Sequence, residues 1–314
     1  MPETDPKLPP ELERSIFEIA ACSRPVTIPT LMLVAQRVHA WYFQALNIVM
    51  AAHDVLYRVE PLLYRVICVS DTPPIDDGFP HFTMDILANA LKEKPASFFK
   101  NAVHHVFVGF TGELFHPMFF PQIRSFLGAC TGITTLYIAD IYMAPTSLLR
   151  HLSPMPLRHL TVKPSALFAE SLHFRDPAFR FVTHLHLLGN LAMGGGGMYI
   201  WDHFSGNKPE EWKKGLTTIP HLTHFAFNSP NSRELVYPAL HACPRLKCCI
   251  LFCSPGVDGT AWLPESRDVR FIVSSLPEAQ LDWQYRVIGG EDMWARAEAV
   301  IAGRRAGQMR AEKS

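Results

Sequence analysis

The sequence predicts an α/β fold: one parallel sheet made of stacked strand-and-helix units, preceded by a small helical module. Three observations predict it. A spacing of apolar residues at first, fourth and sixth places recurs at Ile133/Leu136/Ile138, Leu157/Leu160/Val162, Val182/Leu185/Leu187, Leu222/Phe225/Phe227 and Leu246/Cys249/Leu251, with a weaker copy at Val103/Val106/Val108. The central residues of these triplets, from Val106 to Cys249, are separated by 30, 24, 25, 40 and 24 residues. Helix-compatible runs lie between them, at Phe119–Cys130, Thr146–Leu152, Ala166–Leu172 and Arg233–Cys243. A supersecondary unit that cannot bury its own apolar face does so by stacking on its neighbours, which gives a parallel sheet with the helices outside.

The L-x-x-L-x-L spacing is that of a short leucine-rich-repeat-like solenoid. Val269–Val273 reads as its last strand and Glu291–Arg305 as a terminal helix that seals the end. Ahead of the repeats, Met84–Lys92 is amphipathic with Ile86, Leu87 and Leu91 inward, and Pro95–Lys100 leads into the irregular first repeat. At the N-terminus, residues 1–7 form a polar lead. Pro9-Pro10 open a helix whose Leu12, Ile16, Ile19 and Ala20 share one face. Arg24-Pro25 ends it, and Pro29 opens a second helix with Leu31, Val34, Ala35, Val38 and Trp41 in phase. A third helical turn at Glu60–Tyr64 runs into a strand at Arg65–Val69. The division expected is 1–7 lead, 8–69 helical module, 80–290 repeat region, and 291–314 C-terminal helix and tail.

With 48% hydrophobic and 18% charged residues, the chain has ample material for a core. Lys plus Arg equals Asp plus Glu at 29 each, which gives no overall footprint for nucleic acid or an anionic membrane, although a local basic patch is compatible with it. The polar start lacks the apolar core of a secretion signal, and no run reaches the ~18 apolar residues of a spanning helix. The seven cysteines are an odd number and lie in apolar runs, so they read as buried thiols of a reducing compartment and not as a disulfide framework or zinc site. The expectation is an intracellular protein, in cytoplasm or nucleus.

No set of residues argues for chemistry. The chain lacks G-x-S-x-G, H-E-x-x-H and a strand-linked G-x-G-x-x-G. Asp76-Asp77 reads as a solvated turn. Gly194–Gly197 lacks the G-K-[ST] of a phosphate loop and reads as a flexible insertion with Trp201, Trp212 and Lys213-Lys214 nearby. Catalytic residues, metal ligands and cofactors are therefore expected to be none. Among the 15 histidines, His105, His159, His184 and His224 each precede the central apolar residue of a triplet. Alternation along a strand turns that position away from the core, so stacked repeats align His105, Thr135, His159, His184, His224 and Cys248 in one row. That row is expected on an exposed sheet surface, either as a bare repeat-consensus position or as a target-binding face sensitive to pH.

The opening L-P-P-E-L-x-x-x-I-F of Leu8–Phe17, the second helix ending in Arg37-Val38-His39-Ala40-Trp41, the following V-E-P-L-L-Y-R at Val59–Arg65, and the W-x-R-A-E of Trp294–Glu298 together bear a resemblance. They resemble a family of F-box-like proteins with leucine-rich-repeat-like regions from mushroom-forming fungi, and the resemblance spans most of the chain. It implies a substrate receptor in ubiquitination. In that reading Leu8, Pro9, Leu12, Ile16 and Phe17 dock a Skp-type adaptor of a cullin ligase, and the repeats bind an unknown protein target. The alternative is a non-catalytic scaffold in which the N-terminal helices cap the solenoid.

In one place the chain departs from the family: 17 residues, Tyr42 to Arg58, separate Trp41 from Val59. The codons across Trp41-Tyr42 necessarily read TGGTA and contain an intron donor GT. If Arg58 is encoded AGG, that codon supplies an acceptor, and excision rejoins Trp41 to Val59 in frame. Residues 42–58 are thus expected to be a retained intron. Transcript sequencing across the site should show the spliced form as the main species; uninterrupted reads as the main species would make the segment a true insertion.

Overall fold

The computed structural model describes residues 60–70, 79–80, 82–109, 119–139, 148–168, 174–189, 214–228, 240–253 and 268–311, together with Leu12, Ser15, Ile16, Ile19 and Ala20. Eight strands form one all-parallel sheet in sequence order: β1 (Val66–Ser70), β2 (His105–Gly109), β3 (Thr135–Ile138), β4 (His159–Val162), β5 (His184–Leu187), β6 (His224–Asn228), β7 (Cys248–Cys253) and β8 (Phe271–Ser275). The triplets set the register. Ile67, Val106, Leu136, Leu160, Leu185, Phe225, Cys249 and Phe271 pair in one continuous column, and the residues two places on form a second. The first members of the triplets, Val103, Ile133, Leu157, Val182, Leu222 and Leu246, are buried at the turns before their strands.

β1 was expected at the end of the N-terminal module, but it is the first strand of the sheet. Its triplet is Tyr64/Ile67/Val69, with a tyrosine where the other units carry an aliphatic residue, and all three are buried. Tyr64 packs edge-on against Phe98 at 5.2 Å between ring centroids, with Lys94 over Phe98 and paired to Glu60. This aromatic group closes the first end of the core.

The outer layer holds α1 (Met84–Glu93), α2 (Ala96–Ala102), α3 (Phe119–Ala129) and the short α4 (Leu149–Leu152) and α5 (Pro164–Leu167), with a 3₁₀ turn at Pro177–Phe179. Thr83 caps α1 by accepting from the Ile86 amide. The buried face of α1 is Met84, Leu87 and Ala90; Ile86, expected inward, is 47% exposed because that face passes one position to its side. The turn from α3 to β3 demands glycine, since a Cβ at Gly132 would lie 2.0 Å from the Lys100 carbonyl oxygen at the end of α2. Of the helix expected at Arg233–Cys243, only residues 240–243 fall among those described, and 240–242 are helical.

The largest departure is at the C-terminus. A helix not expected from the sequence, α6 (Ala279–Val287), and the terminal α7 (Met293–Ala311) lie across the sheet face opposite the outer helices. Gly289, at φ 75, makes the turn between them. The terminal helix therefore covers a face and does not seal an end. The cause lies in the alternate strand positions. Val66, Cys68, Phe107 and Tyr137 pack with Trp283, while Ala226, Cys248, Ile250, Phe252 and Ile272 pack with Met293, Trp294, Ala297 and Ile301. A parallel sheet with apolar residues on both faces needs cover on both. Among the described residues, no helix is long and apolar enough to cross a membrane.

Replacing Leu160, which is 1% exposed, with Ala should cost about 2–5 kcal/mol in urea unfolding. Ile86→Ala should change stability by no more than about 0.5 kcal/mol, as expected for a surface site; equal losses in the two variants would contradict the assignment of the α1 face.

Candidate functional site

Strand register brings the expected row together. His105, Thr135, His159, His184, His224 and Cys248 are successive partners across β2 to β7. The expected exposure is overturned. Thr135, His224 and Cys248 are buried and the other three are half-buried. α6 and α7 supply the cover, and Trp294 of α7 sits edge-on to two of the rings, 5.3 Å from His184 and 5.5 Å from His224.

Strand spacing stacks the imidazoles. The His159 and His184 centroids are 4.2 Å apart, and those of His184 and His224 are 4.0 Å apart with planes only 6° from parallel. At two of these rings the preceding threonine fixes the orientation: Thr183 Oγ1 lies 2.9 Å from His184 Nδ1, and Thr223 Oγ1 2.8 Å from His224 Nδ1. His224 Nε2 is 3.0 Å from Glu298 Oε1 on α7. A carboxylate only accepts, so Nε2–H donates to Glu298, and in the neutral ring Nδ1 accepts from the Thr223 hydroxyl.

Burial holds these imidazoles neutral. It lowers His105 to about 4 and His159 to about 3, the latter with help from Arg286. His184 is lowered by burial and then by its two histidine neighbours. His224 is also lowered by burial, against the opposing pull of Glu298. Two positive rings 4 Å apart would repel by about 4 kcal/mol at an effective dielectric of 20. Stacked rings also turn their faces to one another instead of their nitrogen lone pairs. Among the described residues, no group of three His, Cys, Asp or Glu is placed to hold a metal ion.

Beside the row lies a network that the sequence reading missed. Asp282 accepts from Arg296 at 2.7 Å and from Arg286 at 3.5 Å, and Arg286 also donates to Asp292 at 2.7 Å. Asp292 caps α7 by accepting from the amides of Trp294 and Ala295. Burial raises Asp282 against the arginines. The i, i+4 pair Asp282/Arg286 and the capping Asp292 before an apolar stripe were the available signals. Between this network and the sheet is a cavity of about 50 Å³, bordered by Tyr137, Thr161, His186, Asn228 and Asp282. His186 Nε2 is 2.8 Å from Asn228 Oδ1 at its wall. The space suits one or two waters and is far below the ~300 Å³ of a small-molecule pocket.

No family model matches the chain, and no curated protein or solved structure is significantly similar to it. Of the five residues assigned to adaptor docking, Leu12 and Ile16 are helical and 52% and 53% exposed. Leu8, Pro9 and Phe17 lie outside the described residues, as do Asp76-Asp77, Gly194–Gly197 and the segment 42–58. Cys68, Cys130, Cys243, Cys248, Cys249 and Cys253 are free and buried. Cys248 and Cys249 point to opposite faces of the sheet, as alternation requires.

A depressed histidine makes stability depend on pH. Above the unfolded value of ~6.5 both states are neutral there and stability is flat. Below it the unfolded chain takes up protons that the folded chain refuses, so stability falls towards the folded values of about 4 for His105 and His186 and about 3 for His159. Urea midpoints should drop between pH 7.5 and pH 5, and His159→Leu should reduce the drop. A midpoint constant over that range would contradict burial of neutral rings.

Proposed function

We propose that the chain is a non-catalytic interaction protein that serves as a substrate receptor of a cullin-type ubiquitin ligase. Its N-terminal helix docks a Skp-type adaptor, and its repeat domain captures a protein target. The observation that carries this reading is the exposure of Leu12 and Ile16, joined by Ile19 at 65%, on one face of a helical segment. Helices that merely cap a solenoid bury such residues, whereas an exposed apolar stripe marks a partner site. With the histidine row beneath α6 and α7, target capture falls to the margins of the sheet and not to the face that carries the row.

The test is co-purification of the full chain with the Skp-type adaptor, both with and without residues 42–58. Capture should occur in at least one form, and Leu12→Asp with Ile16→Asp should abolish it without changing the unfolding midpoint by more than about 0.5 kcal/mol equivalent, as for surface substitutions. Failure of both forms to bind would favour the adaptor-independent scaffold.

A further inference from the structure

In an all-parallel sheet every strand begins at the same edge, so the turns that precede the strands form one continuous rim. Here the rim is held rigidly. The Arg158 carbonyl accepts from the amides of Thr183 and His184, that of Thr183 from Thr223 and His224, and that of Thr223 from Lys247 and Cys248. The threonine hydroxyl oxygens follow the same line, with Thr183 Oγ1 and Thr223 Oγ1 each 3.1 Å from the Arg158 and Thr183 carbonyl oxygens respectively.

The side chains on this rim are of one sign. Across residues 153–158, 180–183, 217–223 and 243–247, the turns before β4 to β7, there are four cations and no carboxylate: Arg158, Arg180, Arg245 and Lys247. All four are exposed, and none makes an ion pair among the described residues. Arg245 donates to the Pro220 carbonyl, which ties adjacent turns together. The acids on the flanking elements are already engaged: Asp176 accepts from Ser153 and Ala178, Asp268 from Arg270, and Glu298 from His224. At the centre of the rim Phe181 is 42% exposed, with the Arg180 guanidinium 4.5 Å from its ring centroid. An exposed aromatic among unpaired cations is a contact point with both charge and apolar area.

The geometry points to this rim as the docking surface for an acidic, extended segment of a protein partner, anchored by one apolar side chain against Phe181. Three strand spacings separate the turns before β4 and β7, about 14 Å, which an extended peptide covers with four or five residues. That length is short for tracking a duplex, and the chain as a whole carries equal numbers of acidic and basic groups, so steering towards nucleic acid is weak. The inference rests on the reading of the chain as an interaction protein and not on adaptor docking.

The experiment is fluorescence anisotropy of the full chain with a labelled ten-residue peptide of Glu and Asp carrying one central Leu. Saturable binding should appear at 50 mM salt and weaken at least tenfold at 300 mM. Arg158→Glu with Lys247→Glu should weaken it at least tenfold, while Lys92→Glu with Arg150→Glu, the same charge change on the outer helices, should leave it within twofold. Phe181→Ser should weaken binding several-fold and leave the salt dependence in place. Circular dichroism at matched protein concentration checks that each variant is folded. The inference is overturned if the wild-type chain shows no saturable binding, if the rim reversal binds like wild type, if the outer-helix control loses as much, or if a twenty-base-pair DNA duplex binds more tightly than the peptide at equal salt. Because the peptide is probed directly, its failure is distinct from failure to capture the adaptor.

Discussion

The indole of Trp294, edge-on to the rings of His184 and His224, fixes α7 against the sheet, and the arrangement of the molecule depends on that seat. Around it Met293, Ala297 and Ile301 meet Cys248, Ile250 and Phe252. A buried tryptophan removes about 200 Å² from water, worth about 5 kcal/mol at 25 cal/mol/Å² before ordering costs. The carboxylates that go under with it are matched, Asp282 by Arg286 and Arg296 and Asp292 by Arg286, whereas Trp294 Nε1 has no hydrogen-bond partner among the described residues. Arg304, further along α7, donates to the Phe271 carbonyl on the outer edge of β8 and so occupies one of the backbone groups that an edge strand would otherwise offer to another chain.

Covering this face resolves a conflict in the repeat. The strand position that faces away from the main core carries His105, Thr135, His159, His184 and His224 in the middle of the sheet, with Val66 before them and Cys248 after. Histidine suits the middle because a neutral imidazole stacks on its neighbour at the spacing of the strands, takes a threonine hydroxyl at one nitrogen, and leaves the other for a group on the covering helix. At β6 that group is Glu298. The same stacking explains why the row stays uncharged: each added proton would be introduced beside rings already screened from water.

Much of the fold was legible in the chain. The triplets place β2 to β7 and their register, and the alternation rule aligns His105, Thr135, His159, His184, His224 and Cys248. β1 was legible as a strand at Arg65–Val69 but not as a member of the repeat sheet, because Tyr64 replaces an aliphatic residue at the head of its triplet. The cover over the second face was less legible, since the helices that provide it lie far along the chain from the strands they protect. A local signal did exist: Cys68, Phe107, Tyr137, Ile250 and Phe252 occupy strand positions that a solvated face would fill with polar residues. The Asp282, Arg286, Asp292 and Arg296 network was hidden for a related reason, because its parts belong to two helices whose packing against each other is set by the turn at Gly289.

The most direct measurement is a nuclear Overhauser spectrum of the full chain at pH 7.5, observing the Trp294 indole against the imidazole protons of His184 and His224. Centroid separations of 5.3 and 5.5 Å predict cross-peaks from the indole to both rings. An indole with the chemical shift of free tryptophan and no cross-peak to either ring would mean that α7 does not lie on the sheet, and the account of a sheet covered on both faces would be wrong.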